Sequence, residues 1–317
     1  MELPPEEELH KMIADPKKKR SARTVQLTLS NLRRLQERGF DFAHPDKVTA
    51  RLREAHKPST ARTYISALIN YLSASGEHPA ALKEYRKELV RLEKEIGIDY
   101  HRAAFTDRQR QQLVGWEDIL AHRDALEPDV NGMAPPLKGR ALKKMSDHLL
   151  LSFYTLLAPA RNEYRMLRIV ETPPKGKGSK DENFYVKGEQ GDELILHRYK
   201  TAKHYGSAKV PVPADLRKAV RRSLVLHPRE YVFANFAKPG TPWTTQYMSN
   251  RMAAVLPDKK LGSALLRKIA ITEFAKRGKG SREALAKAMR HKLETSEHFY
   301  NNHGKGEQDD MFNLTLS

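Results

Sequence analysis

Apolar residues recur at intervals of three and four along most of this chain, and one stretch breaks that rhythm. Val25, Leu27, Leu32 and Leu35 line a predicted helix that stops near Gly39. After Ser59, the residues Tyr64, Ile65, Leu68, Ile69 and Leu72 form one stripe, and Pro79 opens another through Leu82, Tyr85, Leu89, Leu92 and Ile96. A shorter helical piece falls at 46–55. These patterns predict an all-helical module of about four helices, ending in a joint at 97–105. Thr106 is placed to cap the helix that begins Asp-Arg-Gln-Arg. Residues 126–141, with three prolines and two glycines, read as a loop. Met145, Leu149, Phe153, Leu156 and Leu157 then mark an amphipathic helix.

The period changes at 183–213. Phe184-Tyr185-Val186, Leu194-Ile195-Leu196 and the run Lys209-Val210-Pro211-Val212-Pro213 are separated by turn-forming segments, which predicts a three-stranded antiparallel meander. From 214 onward the pattern is helical again. Gly278 is expected to end one helix, Ser281 to cap the next and Thr295 to cap a last short one. No internal repeat is present. The expected fold is mainly α with a small antiparallel β-meander, in two domains, 1–105 and 106–317.

Composition sharpens this picture. Lys and Arg number 57 against 39 Asp and Glu, a formal charge of +18 in 317 residues. An excess of that size predicts a polyanionic partner. It is uneven: residues 1–105 hold 20 basic and 15 acidic side chains, so +13 falls in the remainder. Cysteine is absent, which excludes disulfides, thiolate metal sites and cysteine nucleophiles and fits an intracellular protein. The first ten residues lack the apolar core of a signal peptide. The most apolar run, 149–160, is far shorter than the ~20 residues of a membrane span, so a soluble protein without membrane contact is expected.

One arrangement of residues suggests chemistry. Tyr300 follows His291 by nine residues, beyond a helix-start signal. A lone tyrosine there ordinarily packs a terminal helix. As a nucleophile toward a phosphodiester, its phenol (pKa ~10) would need help. Guanidinium forks would neutralise the pentavalent phosphate, and a lysine on a turn would protonate the leaving 5′ oxygen. Such groups occur in order. Arg161 stands in Pro-Ala-Arg-Asn-Glu-Tyr, where a helix start would aim it at an anion. Lys200 stands at the second bend of the meander, in Lys-Thr-Ala-Lys-His-Tyr-Gly. Arg267 stands in Leu-Leu-Arg-Lys-Ile-Ala-Ile, on an otherwise apolar helix.

The ordered set Arg161, Lys200, Arg267, His291 and Tyr300 resembles that of the tyrosine recombinases, the phage-integrase superfamily. The wording around Arg161 and Lys200 is most similar to recombinases of large DNA viruses, virophages and Crypton-type mobile elements. The resemblance implies a SAM-like helical core-binding domain and a mixed α/β catalytic domain that close on opposite faces of duplex DNA. It implies Tyr300 as nucleophile, Arg161, Arg267 and His291 as phosphate-holding groups, and Lys200 as general acid, with Lys203 in reserve. It also implies a homotetramer on two DNA sites, acting without cofactor or metal because bond energy is kept in the phosphotyrosyl ester. The chain departs from the pattern at two places. Ala264 stands where a His or Lys usually precedes the second arginine by three residues. The acidic residue after the first arginine is Glu163, two positions on rather than three.

Other residues admit two readings. Lys17, Lys18, Lys19 and Arg20 form a basic run that reads either as a phosphate contact or solvated run or as a nuclear import signal, and the expected place is the nucleus or a viral factory in a eukaryotic host and otherwise the cytoplasm with the nucleoid. Arg51, Arg53, Lys57 and Arg62 flank a buried stripe and are expected to touch the DNA backbone. His291 and His298 lack a third ligand for zinc. Rival functions are a telomere resolvase or type IB topoisomerase with the same chemistry, and a DNA-binding protein of this fold that has lost catalysis, for which Ala264 speaks.

Overall fold

A computed structural model describes residues 3–15, 20–101, 107–174, 176–276 and 288–289. The chain is mainly helical with two small sheets, and it divides into two compact units, Met1–Arg102 and Ala103–Ser317. Among the described residues no helix is long and apolar enough to cross a membrane.

The first unit holds α1 (Glu6–Ile13), α2 (Ala22–Glu37), α3 (Pro45–Ala55), α4 (Pro58–Ser75) and α5 (Pro79–His101). The apolar pattern does not announce α1. Only Leu9 and Ile13 are buried on it, and three glutamates in its first turn favour the positive end of the helix dipole. Its presence makes five helices where about four are expected. Ser21 caps α2 by accepting the Thr24 N–H at 3.1 Å. Leu27 corrects the predicted stripe: it is 51% exposed, while Val25, Leu29, Leu32 and Leu35 face inward. α4 ends at Gly76, whose φ of 73° lets its N–H reach the Leu72 carbonyl. α5 runs through the expected joint to His101, so Gly97 lies inside a helix. Leu32, Leu35, Phe42, Leu68, Leu72, Tyr85 and Leu92 are fully buried in one core. The Tyr85 hydroxyl donates to the Phe42 carbonyl at 3.1 Å, and burial pushes its phenol well up.

The second unit opens with α6 (Asp107–Gln111), α7 (Trp116–Gly132) and α8 (Gly139–Leu156). Thr106, the predicted cap, lies outside the described residues. α7 corrects the expected loop at 126–141, because its last turns continue through Pro128. A proline there removes one helix hydrogen bond. Val130, beyond it, is buried against Leu137, Met145 and Leu226, and that burial offsets the loss. α8 buries every residue from Leu149 to Tyr154, which makes it the central helix of the unit.

A four-stranded sheet follows, in the order β1 (Leu167–Val170), β2 (Asn183–Val186), β3 (Glu193–Leu196) and β4 (Ala208–Pro211). The antiparallel pairs β2–β3 and β3–β4 are those that the meander predicts. β1 pairs with β2 in parallel, so the sheet is mixed rather than purely antiparallel. The β2–β3 bend is tight. A side chain at Gly188 would meet the Gly191 carbonyl at 2.2 Å. The fully buried Asp192 carboxylate accepts from the Tyr185 hydroxyl at 2.6 Å and from Arg221 at 2.6 Å. Between β3 and β4 the chain forms a short helix, α9 (Ala202–Tyr205).

After α10 (Ala214–Leu226), the expected helical pattern is interrupted by a hairpin of β5 (Ala234–Asn235) and β6 (Lys238–Pro242). Its strands are short and β6 is mostly exposed, so neither shows the alternation that marks a strand in sequence. α11 (Thr245–Ala253) and α12 (Ser263–Lys276) complete the described elements. The predicted signals at Gly278, Ser281 and Thr295 lie outside the described residues.

Candidate active site

The first arginine is held by the end of α8. Beyond Leu156 the chain turns through residues 157–162, and two tyrosines fix that turn. The Tyr154 hydroxyl donates to the Arg161 carbonyl, and the Tyr164 hydroxyl donates to the Ala158 carbonyl at 2.7 Å. The two rings meet edge to face with centroids 5.5 Å apart. Burial raises the Tyr154 phenol far above its ordinary value, so it remains a neutral donor. The Arg161 side chain is exposed, and it precedes a four-residue 3-10 turn, Glu163–Met166. That corrects the expected helix start. So short a turn has little dipole to offer an anion.

The second arginine sits differently. α12 is buried on nearly every side from Leu265 to Ile271, and Arg267 within it is only 3% exposed. A guanidinium so placed requires anionic or acceptor partners. Its Nη2 has none among the described residues. Lys268, next in sequence, is also buried, and desolvation together with the nearby Arg110 lowers its ammonium pKa. Ala264, three residues before Arg267, is exposed and brings no proton-handling group.

Arg161 and Arg267, distant in sequence, line one cavity of about 290 Å³ with Glu163, Tyr199, Thr201 and Lys209. Glu163 Oε2 is buried there without a hydrogen-bond partner among the described residues. Lys200 is exposed in the β3–β4 loop between Tyr199 and Thr201, and Lys203 is exposed on α9. Neither of these lysines lines the cavity, whereas Lys209 on β4 does, with Glu193 at 3.5 Å from its ammonium. The sequence pattern marks Lys209 only as the start of the third predicted strand. Its place just beyond the bend that carries Lys200 was the available signal. His291 and Tyr300 lie outside the described residues, as do Lys17, Lys18 and Lys19.

The basic residues expected to face DNA in the helical unit are engaged elsewhere in several cases. Arg20 donates to the Ile13 carbonyl at 2.9 Å and to Asn70 at 2.8 Å, tying the segment after α1 to α4. Arg53 contacts Glu88 at 2.5 Å and Glu95 at 3.0 Å, and Arg62 contacts Glu93 at 2.8 Å. Arg51 lies over the Phe40 ring, 4.5 Å from its centroid. Lys57 is exposed at the start of α4.

Set against known proteins, the sequence matches no family model and no curated protein. Among solved structures it is similar to the crystal structure of XerA recombinase, over 94% of this chain and 94% of that one, at 11% identity and a TM-score of 0.41. A likeness of that size carries no argument about the site, whose chemistry rests on its residues.

Two guanidiniums and an ammonium at one opening suit a tetrahedral or trigonal-bipyramidal oxyanion. A guanidinium buried in this way is a fixed charge, able to face an anion without reorganisation.

Proposed function

We propose that this protein breaks and rejoins DNA through a tyrosine, in the manner of the recombinases its motifs resemble. The observation that carries the reading is the convergence of Arg161 and Arg267 on one cavity, with a buried guanidinium nitrogen left unpaired among the described residues. In this reading the Tyr300 oxygen attacks the scissile phosphorus and the phenolic proton is released. Arg161, Arg267 and His291 hold the non-bridging oxygens. The P–O5′ bond breaks as Lys200 delivers a proton to the leaving oxygen, giving a 3′-phosphotyrosyl link and a 5′ hydroxyl. Reversal with a second 5′ hydroxyl rejoins the strand. The ester retains the bond energy, so neither nucleotide nor metal is invoked. Residues 1–105 serve as the DNA-binding domain and 106–317 as the catalytic one. Exchange between two DNA sites would use four protomers.

Site-specific recombination or integration is the outcome we favour. The viral and Crypton-type affinity stands on the wording of two motifs alone. The exposed Ala264 favours one second reading, a chain of this kind that binds DNA without cutting it.

The test is covalent trapping. Wild type and Tyr300→Phe are incubated with a library of randomised, nicked duplexes and run on a denaturing gel. Wild type should shift to a protein–DNA adduct and Tyr300→Phe should not, with DNA affinity nearly equal. An adduct of normal intensity from the variant removes Tyr300 as the nucleophile. No adduct from wild type favours the binding-only reading.

A further inference from the structure

The loop that carries Lys200 and Lys203 is fastened at its base by a residue that no motif marks. Asn183 opens β2, opposite Leu167 of β1, and is fully buried. Its side chain points along the sheet to the place where β3 ends. Asn183 Oδ1 accepts from the His197 N–H at 2.9 Å and from the Arg198 N–H at 2.7 Å, and its Nδ2 donates to the Arg198 carbonyl at 2.9 Å. Both lone pairs of the amide oxygen and one amide hydrogen are thereby used on two consecutive residues. The strand ladder no longer serves His197 and Arg198, so this amide stands in for a strand partner just where the chain leaves the sheet.

Two further contacts close the loop above it. His197 Nδ1 and the Ser207 hydroxyl are 2.6 Å apart, and the Tyr199 hydroxyl donates to the Gly206 carbonyl at 2.5 Å. Residues 200–205 are therefore a short closed loop whose feet are set by β2. Tyr199 and Thr201, on either side of Lys200, already line the cavity of the two arginines.

We infer that Asn183 is a positioning residue for the leaving-group step, fixing where the loop lysine meets the 5′ oxygen. The inference rests on the function proposed above. In the step concerned, the Tyr300 oxygen–phosphorus bond forms and the P–O5′ bond breaks. The lysine ammonium gives its proton to O5′, and solvent restores it. A group that places the lysine matters only while the leaving oxygen needs that proton. A sulfur in the bridging position leaves as a thiolate of far lower basicity and does not need it.

The experiment uses the full-length protein and a trapped duplex from the library, made with oxygen or with sulfur at the 5′ bridge. Wild type, Lys200→Ala, Asn183→Ala and Asn183→Asp are compared in single-turnover adduct formation. Asn183→Asp keeps acceptors for both N–H groups and the side-chain volume while losing the donor to Arg198, so it guards against a poorly folded alanine variant. On the oxygen substrate Asn183→Ala should be slowed about tenfold or more. Asn183→Asp should be slowed less, because the hydrogen bonds from the His197 and Arg198 N–H groups survive in it. On the sulfur substrate both should approach wild type, as Lys200→Ala should. Equal slowing on both substrates would make Asn183 merely structural, and wild-type rates on both would deny it any role. Either result overturns the inference while wild-type trapping upholds the enzyme. Failure of wild type to form an adduct with either substrate would instead remove the parent reading.

Discussion

The two units share one use of arginine, and among the described residues the second shows another. In the helical unit four arginines are answered locally: Arg53 by Glu88 and Glu95, Arg62 by Glu93, Arg33 by Glu6, and Arg20 by a carbonyl and an amide. In the second unit Arg221 and Arg251 are likewise held, by Asp192 and Asp147, but Arg161, Arg267 and Lys209 share one cavity, and the buried one of these keeps a nitrogen without a described partner. The number of charges in a segment therefore says little about how many can meet a ligand. A helix-to-helix ion pair stabilises its own fold, whereas an incompletely paired buried guanidinium is a cost that only a ligand or another part of the chain can offset.

The contrast can be broken most forcefully at Arg267. Arg267→Met keeps the bulk of the side chain and removes its charge. Covalent adduct formation should fall by two to three orders of magnitude, the loss of about 3–4 kcal/mol that one preorganised donor to a transition state is worth. Thermal stability should be unchanged or higher, because a buried charge is replaced by packing. A lower melting midpoint with cleavage intact would make Arg267 a structural residue.

Salt dependence sharpens the same comparison. Each neutralised phosphate adds about −0.9 to the slope of log affinity against log salt, and the whole chain should show a slope of roughly −5 or steeper. Arg161→Gln should make it shallower by about 1. Arg53→Gln and Arg62→Gln should leave it unchanged, since their charges are already matched by carboxylates. A wild-type slope near −2 would mean that most of the positive charge never meets DNA.

A smaller effect is expected on stability in the helical unit. Arg53→Ala strips a 2.5 Å partner from Glu88, whose side chain is only 9% exposed. Glu88 would then keep only Arg91, 3.6 Å away, and the loss of the closer donor to a largely buried carboxylate should cost about 1–3 kcal/mol in chemical denaturation, with DNA affinity little changed. If affinity drops and stability holds, Arg53 faces DNA after all.

The smallest effect separates the units by pH. No described histidine of the helical unit is buried, but His148 is buried in α8 of the second unit, and burial lowers its imidazole pKa. Below the ordinary imidazole value of about 6.5 the unfolded chain takes up a proton that the folded unit resists. Stability is thus full above that value and declines as pH falls toward the depressed one. His148→Leu should flatten the decline of the second unit between about pH 7 and 5, as read by melting followed at Trp116 or Trp243 fluorescence. An unaltered decline would assign the effect to other groups, His227 first among them, since burial lowers it too.

Local pattern was enough for the elements that bury one continuous face. Stripes such as Tyr64-Ile65-Leu68-Leu72 and the short continuous apolar runs of β2 and β3 were legible because each is set by residues close together in the chain. The pattern failed where the stabilising contact is remote. α7 continues past Pro128 because Val130 packs on α8 and α10, and β1, β5 and β6 exist only by pairing. The same division holds for the candidate site. The sequence determined the order of chemically apt residues and the excess of positive charge, since both are properties of the chain as a string. Only the tertiary structure decided that Arg267 is buried beside Arg161, that Lys209 joins them and that Arg53 and Arg62 are held by α5. Charge availability depends on which groups the fold brings within a few ångströms, and attraction over so short a range has no signature in linear spacing.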